Sequence, residues 1–185
     1  MAQAIRDHDI TPIYASEALW SMWRASPKGE SSALALEWTR QYPMLFDQDD
    51  LDLIVNQAFK GYHFAERFAA IHLFIRNGAR SVIEKYDTYE NHFRARHQHV
   101  HPEKMALYVG AVSEEHRAIH HEICSKWRVQ LPDLLVLAPN GSYGFAEVKG
   151  PTDRTINRKD QVGIRTDLRT RLGVRVEVIS VILVP

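Results

Sequence analysis

The hydrophobic period of this 185-residue chain changes once, near residue 131, and that change restricts the fold more than any other feature. Up to about residue 128 the apolar residues recur at helical spacing; beyond it they come in short runs bounded by turn residues. Residues 134–137 (Leu-Leu-Val-Leu) read as a buried strand, Asn140-Gly141-Ser142 as a hairpin turn, and residues 143–149 as the returning strand. Gly150-Pro151 ends that strand. Residues 157–172 fit an amphipathic helix through Gln161, Ile164, Leu168 and Leu172, stopped by Gly173. Residues 174–183 alternate and then turn almost wholly apolar, as a strand entering a core does. Helices followed by strand, strand, helix and strand predict an α/β or α+β layer protein with a mostly helical N-terminal half.

The upstream helices carry their own boundary signals. Ser16 can cap a helix bearing Leu19, Trp20, Met22 and Trp23, and a second helix with Leu34, Leu36 and Trp38 ends before Pro43. Asp47–Asp50 opens a third, through residues 51–59, with acidic groups where the helix dipole favours them. A fourth, over residues 63–77, is closed by Gly78 and is apolar on two flanks, so it is expected to be buried, with Glu66 pointing inward near its start. Residues 87–102 are polar and His-rich and read as a connector; helices resume after Pro102 and after Ser113.

Charge excludes several partners. Basic and acidic residues balance at 23 each, which rules out a histone-like polycation and an acidic disordered tail. The balance hides a gradient, from net −4 over residues 1–60 to net +3 over residues 145–185, and a basic end suits a polyanion. The longest apolar runs, within 134–139 and 178–185, fall far short of the roughly 20 residues that span a bilayer. No positive segment followed by an apolar one opens the chain, so no secretory signal is expected and the protein is expected to be cytoplasmic and free of membrane, with export by a route that needs no signal peptide left open. Cys124 is the single cysteine, which removes internal disulfides and Cys-pair zinc sites.

The chemistry is concentrated in the hairpin. Glu147 and Lys149 are two apart on a strand and leave the same face. A loop centred on Asn140 sets Asp133 opposite Glu147 on that face, whereas a shift of one residue would turn Asp133 away. Two adjacent carboxylates repel unless a cation intervenes. Mg²⁺ is suited to that place, held by one or two carboxylates, waters and phosphate oxygens. An ion there polarises a phosphoryl group and acidifies a water, while Lys149 orients the water or stabilises developing charge.

Pro132-Asp133 with Glu147-Val148-Lys149 resembles the signature of the PD-(D/E)XK nuclease superfamily. The longer string from Phe145 to Arg154, Phe-Ala-Glu-Val-Lys-Gly-Pro-Thr-Asp-Arg, is similar to the VRR-NUC domain, found in stand-alone phage and bacterial nucleases and at the C-terminus of the Fanconi-associated nuclease. The resemblance covers residues 131–185 and is weak upstream. It implies a restriction-endonuclease-like core, a nuclease domain over 61–185, and a helical accessory region over 1–60. It also implies a DNA endonuclease using Mg²⁺ or Mn²⁺, with Asp133, Glu147 and the Val148 carbonyl as metal ligands and Lys149 as the catalytic lysine. Asp153 and Arg154 would brace the loop or touch a phosphate. Gln161 is the candidate for the family's helix glutamine, although its spacing from Asp153-Arg154 is longer than usual. Relatives add a glutamate from an upstream helix; Glu66 is the choice, with Glu115 and Glu122 as rivals. Some relatives act as homodimers on branched or flap DNA. Others are antibacterial toxins with an immunity partner.

The same residues admit plainer readings. Asp133, Glu147 and Lys149 could form a surface hairpin with one ion pair, and the whole could be a nucleic-acid-binding module without turnover. Arg154, Arg158, Lys159, Arg165 and Arg169 could track phosphates along the last helix or form a solvated face. His92, His97, His99 and His101 cluster, and His116 and His120 have an i,i+4 spacing able to grip Zn²⁺, but a solvated polar stretch is the simpler expectation.

Overall fold

In a computed structural model describing residues 10–25, 32–47, 50, 52, 63–84, 86, 101–153 and 159–185, the change of period becomes a mixed five-stranded sheet with helices on both faces. The strands are β1 (Ile10–Ser16), β2 (Arg80–Ile83), β3 (Leu134–Leu137), β4 (Tyr143–Lys149) and β5 (Arg175–Val184). Six helices are described: α1 (Glu17–Arg24), α2 (Ala33–Gln41), α3 (Phe64–Asn77), α4 (Pro102–Ala111), α5 (Glu114–Trp127) and α6 (Lys159–Leu172). Sheet order is β1-β5-β4-β3-β2; β2, β3 and β4 are antiparallel neighbours, and β4, β5 and β1 run parallel. Helix α6 is the crossover that parallel β4 and β5 require. Among the described residues no helix is long and apolar enough to cross a membrane.

Local chemistry sets the helix starts. The side chains of Ser16, Ser32 and Ser113 accept the amides of Leu19, Ala35 and His116 at 3.2, 3.0 and 3.3 Å. Asp47 and Asp50 each accept the other's backbone N–H, a reciprocal helix-start pattern; residues 53–59 of the expected third helix, and the polar stretch 87–100, lie outside the described residues. Gly78, at φ 70°, ends α3 as its missing Cβ permits.

Two strands depart from the sequence reading. The segment expected to be helical over 1–60 also supplies β1, which pairs in parallel with β5 across the length of the chain. Its Pro12 is tolerable because β1 is an edge strand. Strand β2 is four residues long, too short for a period to emerge, and is recruited by β3.

Strand alternation divides the core in two. Ala146 and Val148 face α1, α2 and α3, where Trp23, Trp38 and Phe64 meet at ring-centroid distances of 5.5–5.8 Å. Phe145 faces the other way, onto Ile123, Ile164 and Leu168 of α5 and α6. Glu147 and Lys149 share the parity of Phe145 and leave toward α6. Helices α5 and α6 approach closely because Gly163 has no side chain: a Cβ there would lie 2.4 Å from the Trp127 ring. Trp127 also donates from Nε1 to Asp167 at 2.7 Å, so its ring is pinned. Gly163→Ala is therefore expected to destabilise the protein by about 1–3 kcal/mol despite alanine's better helix propensity, read as a lower urea midpoint.

Candidate active site and metal centre

The hairpin turn sets the register that the site needs. Asn140 Oδ1 accepts from the amide and hydroxyl of Ser142 at 3.0 and 2.7 Å, and Gly141 adopts φ 82°. Leu134 then pairs with Ala146 and Leu135 with Phe145, which leaves Asp133 across from Glu147. Asp133 Oδ2 accepts the Val148 amide at 2.7 Å. Lys149 Nζ donates to Glu147 Oε1 at 2.7 Å and to Gln161 Oε1 at 3.2 Å, so Gln161, one turn into α6, reaches the strand. Glu147 and Lys149 are only 5% and 7% exposed. Beyond them Gly150 donates to Asp153 Oδ2 at 2.8 Å and accepts from the Asp153 amide at 3.1 Å, closing a tight turn packed near Ala65.

Glu66 enters from the first turn of α3, and Glu84 from the residue after β2, whose amide donates to the Asp133 carbonyl at 2.9 Å. The charges of these carboxyl groups act on one another. Burial, then the charges of Glu147, Glu66 and Glu84, push the Asp133 carboxyl well above the usual carboxylate range, against the Val148 hydrogen bond. Burial and then Glu84 raise Glu66 to about 7; Arg67 opposes this only in part, because its guanidinium is turned to Asp50 at 3.2 Å. One donor atom each of His63, Glu66 and Glu84 lies within 4.8 Å of the others. Glu147, Glu66 and Glu84 thus all act by charge on Asp133, and Lys149 is the ammonium bonded to Glu147.

Crowded carboxyls that protonate rather than share a space are a donor set short of positive charge. Oxygen donors with one imidazole suit Mn²⁺ and Mg²⁺ better than a soft metal. His63, Glu66 and Glu84 could hold such an ion, whereas Asp133 and Glu147, the expected ligands, fall outside that close group and Asp133 is linked to it by charge. Glu84 and His63 carry no motif spacing that marks them in the sequence.

Other expected site residues fall elsewhere. Glu115 and Glu122 are exposed, and Glu122 is ion-paired with Arg171 at 2.5 Å, between α5 and α6. Arg165 is 1% exposed, so the expected phosphate contact is corrected: its guanidinium is inside the protein. Arg169 is half-buried; it donates from Nε to the Val176 carbonyl at 3.0 Å and ties α6 to β5. Lys159 is exposed at the start of α6, whereas Arg154 and Arg158 lie outside the described residues, as do His92, His97 and His99. His101 lies 3.7 Å from Asp47. His116 and His120 are neither a zinc grip nor a solvated pair. Their Nδ1 atoms meet the hydroxyls of Tyr143 and Tyr108 at 2.7 and 2.8 Å, and burial, then the neighbouring His116, lowers His120 to about 4.

No family model, curated protein or solved structure matches this chain. The side-chain geometry therefore carries the functional reading.

Proposed function

We propose that this protein is a metal-dependent endonuclease that hydrolyses DNA phosphodiester bonds, built on a PD-(D/E)XK core of the VRR-NUC kind. The observation that carries the reading is the pairing of Asp133 with Glu147 across the hairpin, with Lys149 on the same face and bonded to Glu147 and Gln161. Helix α3 packs against the sheet, and Glu66 in its first turn acts by charge on Asp133, which supports the reading. The site also lies at the carboxyl ends of parallel β4 and toward the start of crossover helix α6, where open sheets commonly bind ligands.

A bound Mg²⁺ or Mn²⁺ supplies phosphoryl polarisation and a more acidic water. The protein's part is placement. Gln161 and Glu147 hold the Lys149 ammonium in one orientation, against the rotamer freedom of a four-carbon stem. From there the ammonium orients the attacking water and stabilises charge developing on the phosphate oxygens. Asp133 is aimed by the Val148 amide, and the Gly150–Asp153 turn closes the strand directly after Lys149.

The purified protein, given linear, flap, fork, four-way and single-stranded DNA with and without Mn²⁺, is expected to cut at least one substrate only when the ion is present. Binding of DNA without cleavage on every substrate would instead identify a non-catalytic module. Glu66→Gln is expected to slow cleavage by about 10²-fold, while Glu122→Gln and Glu115→Gln cut at the parental rate. Initial rates at saturating Mn²⁺ make that comparison, and a parental rate for Glu66→Gln would remove Glu66 from the site.

A further inference from the structure

The ligands that tertiary structure adds to the site stand on unusual backbone. His63 and Glu84 both adopt left-handed conformations, φ 62° and 46°. For residues with a Cβ this conformation is strained and persists only where the surroundings enforce it. Behind both residues lies a buried charge triad. Lys104 of α4 places Nζ 2.8 Å from Asp50 Oδ1 and 2.7 Å from the carbonyl of Ile83, the residue immediately before Glu84. Arg67 of α3 donates from Nη2 to Asp50 Oδ1 at 3.2 Å and to the Asp50 carbonyl at 2.8 Å, and from Nη1 to the His63 carbonyl at 3.4 Å. All three side chains are at most 2% exposed.

Such a triad is a poor device for stability alone, because apolar side chains of similar volume often serve as well or better. What apolar side chains cannot do is donate to the Ile83 and His63 carbonyls and so fix the peptide planes from which Glu84 and His63 project. We propose that Asp50, Arg67 and Lys104 are positioning residues that hold Glu84 and the His63–Glu66 turn in the geometry a divalent ion requires. The proposal rests on the metal-centre reading above. It assigns the triad a role in ion affinity, exerted through the backbone and without contact to the ion.

Calorimetric titration of the whole chain with Mn²⁺ tests it, using samples shown to be folded by circular dichroism at the working temperature. Lys104→Met is expected to weaken Mn²⁺ binding about tenfold, the range in which residues supporting metal ligands act. Lys104→Gln, which keeps a shorter donor, is expected to lose about threefold. If Lys104 acts through Glu84, the double variant Glu84→Gln/Lys104→Met binds no more weakly than Glu84→Gln alone, because the second change has nothing left to position. Parental affinity in either folded Lys104 variant overturns the proposal, as do additive losses in the double variant. Should Lys104→Met fail to fold, Lys104→Gln and its double with Glu84→Gln decide by the same criteria. A parent that binds no Mn²⁺ removes the metal centre itself, and the triad's role with it; a parent that binds Mn²⁺ beside variants that match it removes the triad's role only.

Discussion

Lys149→Ala is expected to lower Mn²⁺-dependent DNA cleavage by about 10³-fold while leaving Mn²⁺ bound at least as tightly as in the parent. The two effects diverge because Lys149 is a cation inside a carboxylate cluster: its loss removes a charge that competes with the ion and a group that serves the transition state. A cost in folding accompanies this. Lys149 and Glu147 form a buried pair at 2.7 Å, and removing one partner strands the other beside Asp133. Breaking such a pair costs about 3 kcal/mol or more. In metal-free buffer the variant should therefore melt well below the parent, and Mn²⁺ should recover most of the difference. Cleavage rates and melting curves, each with and without Mn²⁺, check both statements. Cleavage within about tenfold of the parent would show that the lysine is structural only.

Asp133→Asn is expected to move stability and function in opposite directions. Asparagine keeps an oxygen for the Val148 amide and removes one charge from a group whose members already repel. Without metal at pH 8 the variant should be more stable than the parent, yet its Mn²⁺ affinity should fall by about 10²-fold and cleavage should be lost. The pH dependence follows from Glu66, whose proton is held to about 7 instead of 4.5. Below 4.5 the folded and unfolded chains both keep that proton, and nothing is lost. Between 4.5 and 7 the unfolded chain releases it first, so the metal-free protein loses stability as pH rises, and above 7 the loss is complete. The upper value of that loss is on the order of 3 kcal/mol for Glu66, with Asp133 adding in the same direction. Urea midpoints from pH 4 to 8 should decline in the metal-free parent, decline less in Asp133→Asn, and flatten when Mn²⁺ is present. A flat metal-free profile in the parent would mean that these carboxyls do not crowd one another.

How much of this was legible in the sequence depends on the distance over which each feature is decided. The serines at 16 and 113 and the Gly78 stop involve neighbours three or four residues away, and each is where local reading puts it. The hairpin is also local. Asn140-Gly141-Ser142 fixes the turn, the turn sets the pairing of Leu134 with Ala146, and the pairing faces Asp133 toward Glu147. The two-residue period of a strand then puts Lys149 beside Glu147 without reference to anything else.

Distant partners decide the rest. Strand β1 exists because β5 offers it a parallel edge more than 160 positions along the chain, which no window of sequence contains. Arg165 and Arg169 have the spacing of a basic stripe, but the packing of α6 buries one and spends the other on a β5 carbonyl. His116 and His120 have the spacing of a metal grip, and the tyrosines of α4 and β4 take their ring nitrogens instead. The meeting of Glu66 and Glu84 with Asp133 depends on how α3, β2 and β3 stack, and on a buried triad drawn from three separate segments. The acid–acid–lysine hairpin and the helix starts are decided locally, because their energetics close within a turn or a strand pair. Which further carboxylates act on that hairpin, and which basic side chains are left for solvent, is decided by packing, because burial and long-range electrostatics are properties of the folded chain.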